Sequence, residues 1–161
     1  MRVSAIVYTS NTGFTAKYAA MLSERTGLPC YSLKDAAPGL DSVLYLGWLC
    51  AGETKGLNKA ANRFTVKAVC AVGMSPPNPA YTAKLKRPAK LEAAPLFYLR
   101  GGYAPKRLTG LYKLMMALMT KMVTRHPPEN AEEAAMQDAF RKGGDWVDGA
   151  ALEPVLAWLN G

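Results

Sequence analysis

The sequence predicts an α/β domain: a five-stranded parallel sheet with helices on both faces. Three observations predict it. Short apolar, β-branched runs alternate with stretches of helical periodicity along most of the chain. The third run, SVLYLGW at 42–48, is apolar without alternation, as a strand covered on both faces should be. The length of 161 residues suits a single domain, 1–161, with enough core to fold without staples.

The elements follow in order. Residues 2–8 read as the first strand, with β-branched Val3, Ile6 and Val7. A loop rich in hydroxyls and glycine occupies 9–13. Residues 14–25 read as a helix with Tyr18, Ala19 and Leu22 on its apolar face, stopped by Gly27. The second strand falls at 28–33 and the third at 42–48. A glycine-containing loop at 49–56 leads into a short helix at 57–64, and the fourth strand is VKAVCAVGM at 66–74. Residues 75–95 hold Pro76, Pro77, Pro79, Pro88 and Pro95 and read as an irregular insertion with one helical turn near 81–86. The fifth strand, LFYLR at 96–100, ends at Gly101-Gly102. A long helix at 105–124 opens on Pro105 and is stopped by Pro127-Pro128. Helices at 131–140 and 151–159 complete the chain, with Asp148 as an N-cap near the last. Ligands of such sheets bind outside the carboxyl ends of the strands, which selects the loops at 9–14, 48–52 and 101–104.

Composition narrows the function classes. With 50% hydrophobic and 20% charged residues, the chain is not a disordered one. Its 20 Lys and Arg against 12 Asp and Glu give a net charge of +8, suited to an acidic partner, an anionic membrane surface or a nucleic acid. The basic residues are spread out and no stacking platform is evident, so no nucleic acid is expected. The longest apolar stretch, 111–123, is broken by Lys113 and Lys121 and is too short to span a bilayer. The N-terminus lacks the apolar core of a signal peptide, so a cytoplasmic protein is expected. Cys30, Cys50 and Cys70 form no C-x-x-C pair and no cluster has metal spacing; free thiols and no metal are expected. His126, the only histidine, sits at a helix end, where capping is the plainer role. No catalytic acid or base is assigned, and any chemistry falls to a cofactor.

The strongest signal is IVYTSNTGFTAKYA at 6–19. A strand delivers the chain to a turn at a helix N-terminus, where unpaired amides and the helix dipole favour an anion. Thr9, Ser10, Thr12 and Thr15 add hydroxyls, Asn11 and Phe14 lie between them, and Gly13 lets backbone approach closely. The loop holds no Lys or Arg, so a phosphate would be held mainly by hydrogen bonds. It is neither a Walker loop nor a G-x-G-x-x-G dinucleotide turn.

This segment resembles the phosphate loop of the flavodoxin superfamily, Ser/Thr-x-Thr-Gly-x-Thr after a hydrophobic strand ending in an aromatic. Tyr8, Ser10, Thr12, Gly13, Thr15 and Ala19 fall on that pattern, and Phe14 departs from it where many members carry Asn. The resemblance implies a flavodoxin-like three-layer sandwich with strand order 2-1-3-4-5, and flavin mononucleotide (FMN) as cofactor. The segment at 97–122 is similar to the corresponding part of menaquinone-dependent protoporphyrinogen oxidases, a group within that superfamily with an excursion before its last strand. It implies an FMN-dependent oxidoreductase passing electrons from a reduced donor to a quinone or a redox partner protein. The alternative is a one-electron carrier without a substrate of its own, and a third reading is a scaffold that has lost its flavin.

The flavin ring needs flat apolar walls and backbone groups at its polar edge. Trp48 and Tyr103 are the stacking candidates, with core and plain surface as their respective alternatives. Leu49, Cys50 and Gly52 offer backbone groups, and the resemblance implies that Gly52 permits a peptide rotation on reduction. Gly101 and Gly102 complete the ring-binding set. The helix at 105–124 carries a narrow polar stripe at Lys113, Ala117, Lys121 and Thr124; the rest is Leu, Met and Tyr. That surface faces the core, a hydrophobic substrate or a partner. Arg100, Lys106, Arg107 and Arg125 around it suit carboxylates or anionic lipid headgroups, so peripheral membrane contact belongs among the expectations.

Overall fold

All five apolar runs become parallel strands in the computed structural model, which describes residues 2–161. In chain order the first unit contains β1 (Ala5–Thr9), α1 (Phe14–Thr26), β2 (Cys30–Ser32), β3 (Ser42–Cys50), β4 (Glu53–Thr54), α2 (Leu57–Arg63), β5 (Thr65–Gly73), α3 (Pro79–Ala83) and β6 (Leu96–Arg100). The chain then leaves for a second compact unit, Gly102–Trp146, and returns at Val147–Gly161 to the first.

The sheet runs β2-β1-β3-β5-β6, all parallel. It has six strands rather than the expected five, because the chain turns at Ala51-Gly52 and β4 pairs back on β3 antiparallel. Side-chain alternation divides the core in two. Ile6, Leu44, Leu46 and Cys70 meet Tyr18 and Leu22 of α1 and Val155 and Leu159 of the C-terminal helix. Ala5, Val7, Val43, Tyr45 and Val69 on the other face meet Leu57 and Ala60 of α2 and Phe64 just after it. Helices on both faces make three layers. Each fully buried Leu or Ile contributes about 1.5–3 kcal/mol, so the central strands dominate the stability of this unit.

Local chemistry sets the boundaries. Gly27 ends α1 in the left-handed conformation, φ 73°. Asn78 caps α3, its Oδ1 accepting from Ala80 N at 2.9 Å, with Pro79 at the first helical position. The proline-rich insertion is anchored rather than loose: Leu85 and Leu91 are buried, and Arg87 Nη1 donates to Ala94 O at 2.8 Å. At the chain end, Asp148 Oδ1 accepts from Ala150 N at 2.9 Å and opens a 3-10 turn (Gly149–Leu152) before the terminal helix, Glu153–Asn160.

In the second unit, β7 (Gly102–Tyr103) pairs antiparallel with β8 (Gly144–Asp145), and α4 (Gly110–Val123) packs on α5 (Ala131–Lys142). With these, the terminal helix is α6. The helix expected from Pro105 is divided: a 3-10 turn (Pro105–Arg107) is followed by extended Leu108 and Thr109, and α4 starts at Gly110 with φ 58°. Asn130 Oδ1 accepts from Glu133 N at 2.8 Å while Glu133 Oε2 accepts from Glu129 N at 2.7 Å, a reciprocal cap for α5. No helix among the described residues is long and apolar enough to cross a membrane.

Candidate functional site

The carboxyl ends of the parallel strands gather the loops that sequence selected in the first unit. α1 leaves β1 toward one face and α2 follows β3 toward the other. The connections therefore diverge between neighbouring β1 and β3, the point at which such sheets bind their ligands.

The turn at 10–13 stands at the β1 side of this divergence. Gly13 has φ 106° and ψ −13°, a conformation closed to most L side chains. Its N–H donates to Ser10 Oγ at 3.2 Å, which leaves the Ser10 hydroxyl proton for another acceptor. The first helical bond of α1 is Lys17 N to Gly13 O at 3.0 Å. The amides of Asn11, Phe14, Thr15 and Ala16 find no acceptor among the described residues. Thr15 is buried, and its hydroxyl also lacks a partner among them. Thr12 is half-buried and Asn11 exposed. One short turn thus collects several donors with no acceptor among the described residues.

Thr9 has a different job. Tyr45 Oη lies 2.7 Å from both Lys55 O and Thr9 Oγ1. The carbonyl only accepts, so the phenol donates to Lys55 and the Thr9 hydroxyl donates to the phenol. Burial pushes the Tyr45 phenol up to about 12. A side chain at Gly56 (φ 79°) would meet Tyr45 Oη at 2.2 Å and Thr9 Oγ1 at 2.6 Å. Only glycine lets the chain after β4 lie over this pair and tie the second loop to the base of the first. Sequence reasoning missed Tyr45; its signal is a phenol inside an aliphatic strand, which needs a buried partner.

The second loop turns at Ala51 (φ 52°) and Gly52 (φ 76°), two left-handed residues in succession, as a tight hairpin requires. Ala51 is the one non-glycine residue with positive φ among the described residues, a conformation that costs about 1–2 kcal/mol. The Gly52 carbonyl accepts from Lys86 N at 3.0 Å, which pins the Gly52–Glu53 peptide to the insertion. The Ala51–Gly52 peptide has no partner among the described residues. Trp48, Leu49 and Cys50 are half-buried, and alternation puts Trp48 on the α1 face of β3. The buried Thr54 hydroxyl has no partner among the described residues.

The ends of β5 and β6 are clamped by their own side chains. Tyr98 Oη donates to Ser75 O at 2.6 Å, and burial lifts this phenol to about 12. Arg100 Nε donates to Met74 O at 3.1 Å, and Tyr18 Oη donates to Arg100 O at 2.6 Å. Gly101 N donates to Gly73 O at 2.7 Å, and a Cβ on Gly101 would strike Val72 at 2.5 Å and Phe14 Cβ at 3.2 Å. Gly101 therefore lies against the first residue of α1.

No protein-family model, curated protein or solved structure matches this chain. What the edge can do follows from its own chemistry. The first unit brings together Thr9, the 10–15 turn, the 48–52 loop and Gly101. Gly102 and Tyr103 belong to the second unit, where the Tyr103 ring packs on Phe140 at 6.2 Å between centroids and burial raises its hydroxyl. His126 contributes a carbonyl that accepts from Gln137 Nε2 at 2.9 Å. Cys70 is buried and burial raises its thiol, as it does that of Cys30. No group of His, Cys, Asp and Glu among the described residues is arranged to hold a metal ion.

Proposed function

We propose that the 10–15 turn receives the phosphate of FMN and that the protein is a flavodoxin-like redox protein. The observation that carries this is the set of donors without a partner among the described residues at the N-terminus of α1, with the Thr15 hydroxyl among them, beside the divergence of β1 and β3. A phosphate monoester is the acceptor that such a set fits: several oxygens, two negative charges, and the helix dipole in its favour. Counting only the parallel strands, the sheet order reads 2-1-3-4-5, the flavodoxin-like one.

The bound flavin would supply the electron-transfer chemistry. The chain would supply the rest. Ser10, Thr12 and Thr15 with the turn amides would hold the phosphate. Thr9 and Tyr45 would brace the turn. Trp48 would offer an apolar wall, and the unengaged Ala51–Gly52 peptide would face the polar edge of the ring. The electron acceptor is proposed to be a quinone or a protein. A second reading, an electron carrier with no substrate of its own, is favoured by one feature: residues 9–15, 48–52, 73–75 and 101 include no Asp, Glu or His to handle a substrate proton. Quinone turnover by the reduced protein separates the two.

The test is a titration of the purified protein with FMN, followed by loss of free-flavin fluorescence, on wild type and Thr15→Val. Removing one hydrogen bond to a charged group is worth about 1.5–3 kcal/mol, so the variant should bind roughly 10- to 150-fold more weakly. Equal binding by both, or none by wild type, would remove the assignment.

A further inference from the structure

We infer that the outer face of α4 is a docking surface for an anionic lipid bilayer. No residue of α4 is buried. Leu111, Leu114, Leu118 and Met122 recur at intervals of three and four and so share one face. They are 77%, 69%, 60% and 66% exposed, and Met119 beside them is exposed as well. Five large apolar side chains standing in water along one short helix are a patch that folding does not account for.

Charge selects the occupant. Residues 105–125 hold Lys106, Arg107, Lys113, Lys121 and Arg125 and no acidic residue. Lys113, Ala117 and Lys121 form an exposed stripe in four-residue steps that borders the apolar face. Lys106, Lys113, Lys121 and Arg125 are exposed and lie in no ion pair with an acidic group of the described residues. A Leu- and Met-rich face edged by lysines, whose stems can lie along the hydrocarbon while their ammonium groups reach the headgroups, is the pattern of an interfacial helix. A second copy of the chain fits poorly, because an isologous contact would oppose two sets of five cations. A protein partner fits less well too: the cores of protein interfaces favour aromatics and Arg and are depleted in Lys. The inference does not depend on flavin binding.

The test is flotation of the full-length protein with phosphatidylcholine vesicles, with and without 30% phosphatidylglycerol. The protein should float with the anionic vesicles, remain behind with the neutral ones, and be released by high salt. Each positive charge near the surface is worth about fivefold in affinity, so Lys113→Gln with Lys121→Gln should weaken binding roughly 25-fold. Leu114→Glu with Leu118→Glu should abolish it while the circular dichroism stays that of wild type; if that variant unfolds, the lysine pair carries the test alone. Three results would overturn the inference: no flotation with anionic vesicles, flotation undiminished in both double variants, or a solution dimer that Leu114→Glu dissociates.

Discussion

In the sheet unit, Leu22, Leu44, Leu46 and Leu99 are essentially out of water, whereas in the Gly102–Trp146 unit Leu111, Leu114 and Leu118 are each at least 60% exposed. The first set is fixed by two faces of a parallel sheet that must both be covered. The second set is apolar without being enclosed by its own fold; in the second unit the buried side chains are Tyr103, Leu108 and the polar Gln137. The same residue types therefore carry different information in the two units. In one they report the core, and in the other they form the exposed face that we propose meets a bilayer.

Substitutions sharpen that contrast, and the largest effects belong to the sheet unit. Gly56→Val forces a β-branched side chain into a left-handed position and onto Tyr45 and Thr9. It should cost about 3–5 kcal/mol in denaturant unfolding. Leu46→Ala opens a cavity in the core and should cost about 2–5 kcal/mol, while Leu118→Ala should stay within about 0.5 kcal/mol. Equal costs for these two leucines would break the comparison. Gly13→Ala, at φ 106°, should lose about 1–2 kcal/mol of stability and weaken FMN binding in parallel.

Tyr45→Phe should cost about 1–2 kcal/mol near neutral pH for the lost bridge between Thr9 and Lys55. It has a second signature. Folding raises the Tyr45 phenol from 10 to about 12, so the folded state keeps a proton that the unfolded chain releases. The associated stability is full below pH 10 and is lost as pH rises toward 12. Wild type should weaken across that window, and Tyr45→Phe should weaken less steeply.

Much of the sheet unit was legible because its signals are local and agree with one another. LFYLR at 96–100 became β6 with the expected bounds, Tyr18, Ala19 and Leu22 are buried, and Gly27 stops α1. The β3–β4 hairpin was not legible: its turn is Ala-Gly, and an alanine at positive φ does not advertise a turn as Asn-Gly does. The break before α4 was hidden for a similar reason, since Pro105 opens a 3-10 turn and only extended Leu108 and Thr109 separate it from the helix. The turn at 10–13 was visible in residue types, but the bracing of Thr9 by Tyr45 joins residues 36 apart and no local pattern contains it. The burial of Thr15 likewise exists only once β1, α1 and the strands beside them are assembled.

The central claim is that the N-terminal turn of α1 recognises a phosphate ester with amides and hydroxyls. Calorimetric titration of one preparation with FMN and with riboflavin, which differ only in that ester, tests it most directly. FMN should bind at least ~100-fold more tightly, the worth of one or two charge-assisted hydrogen bonds. Equal affinity for the two flavins would contradict the account.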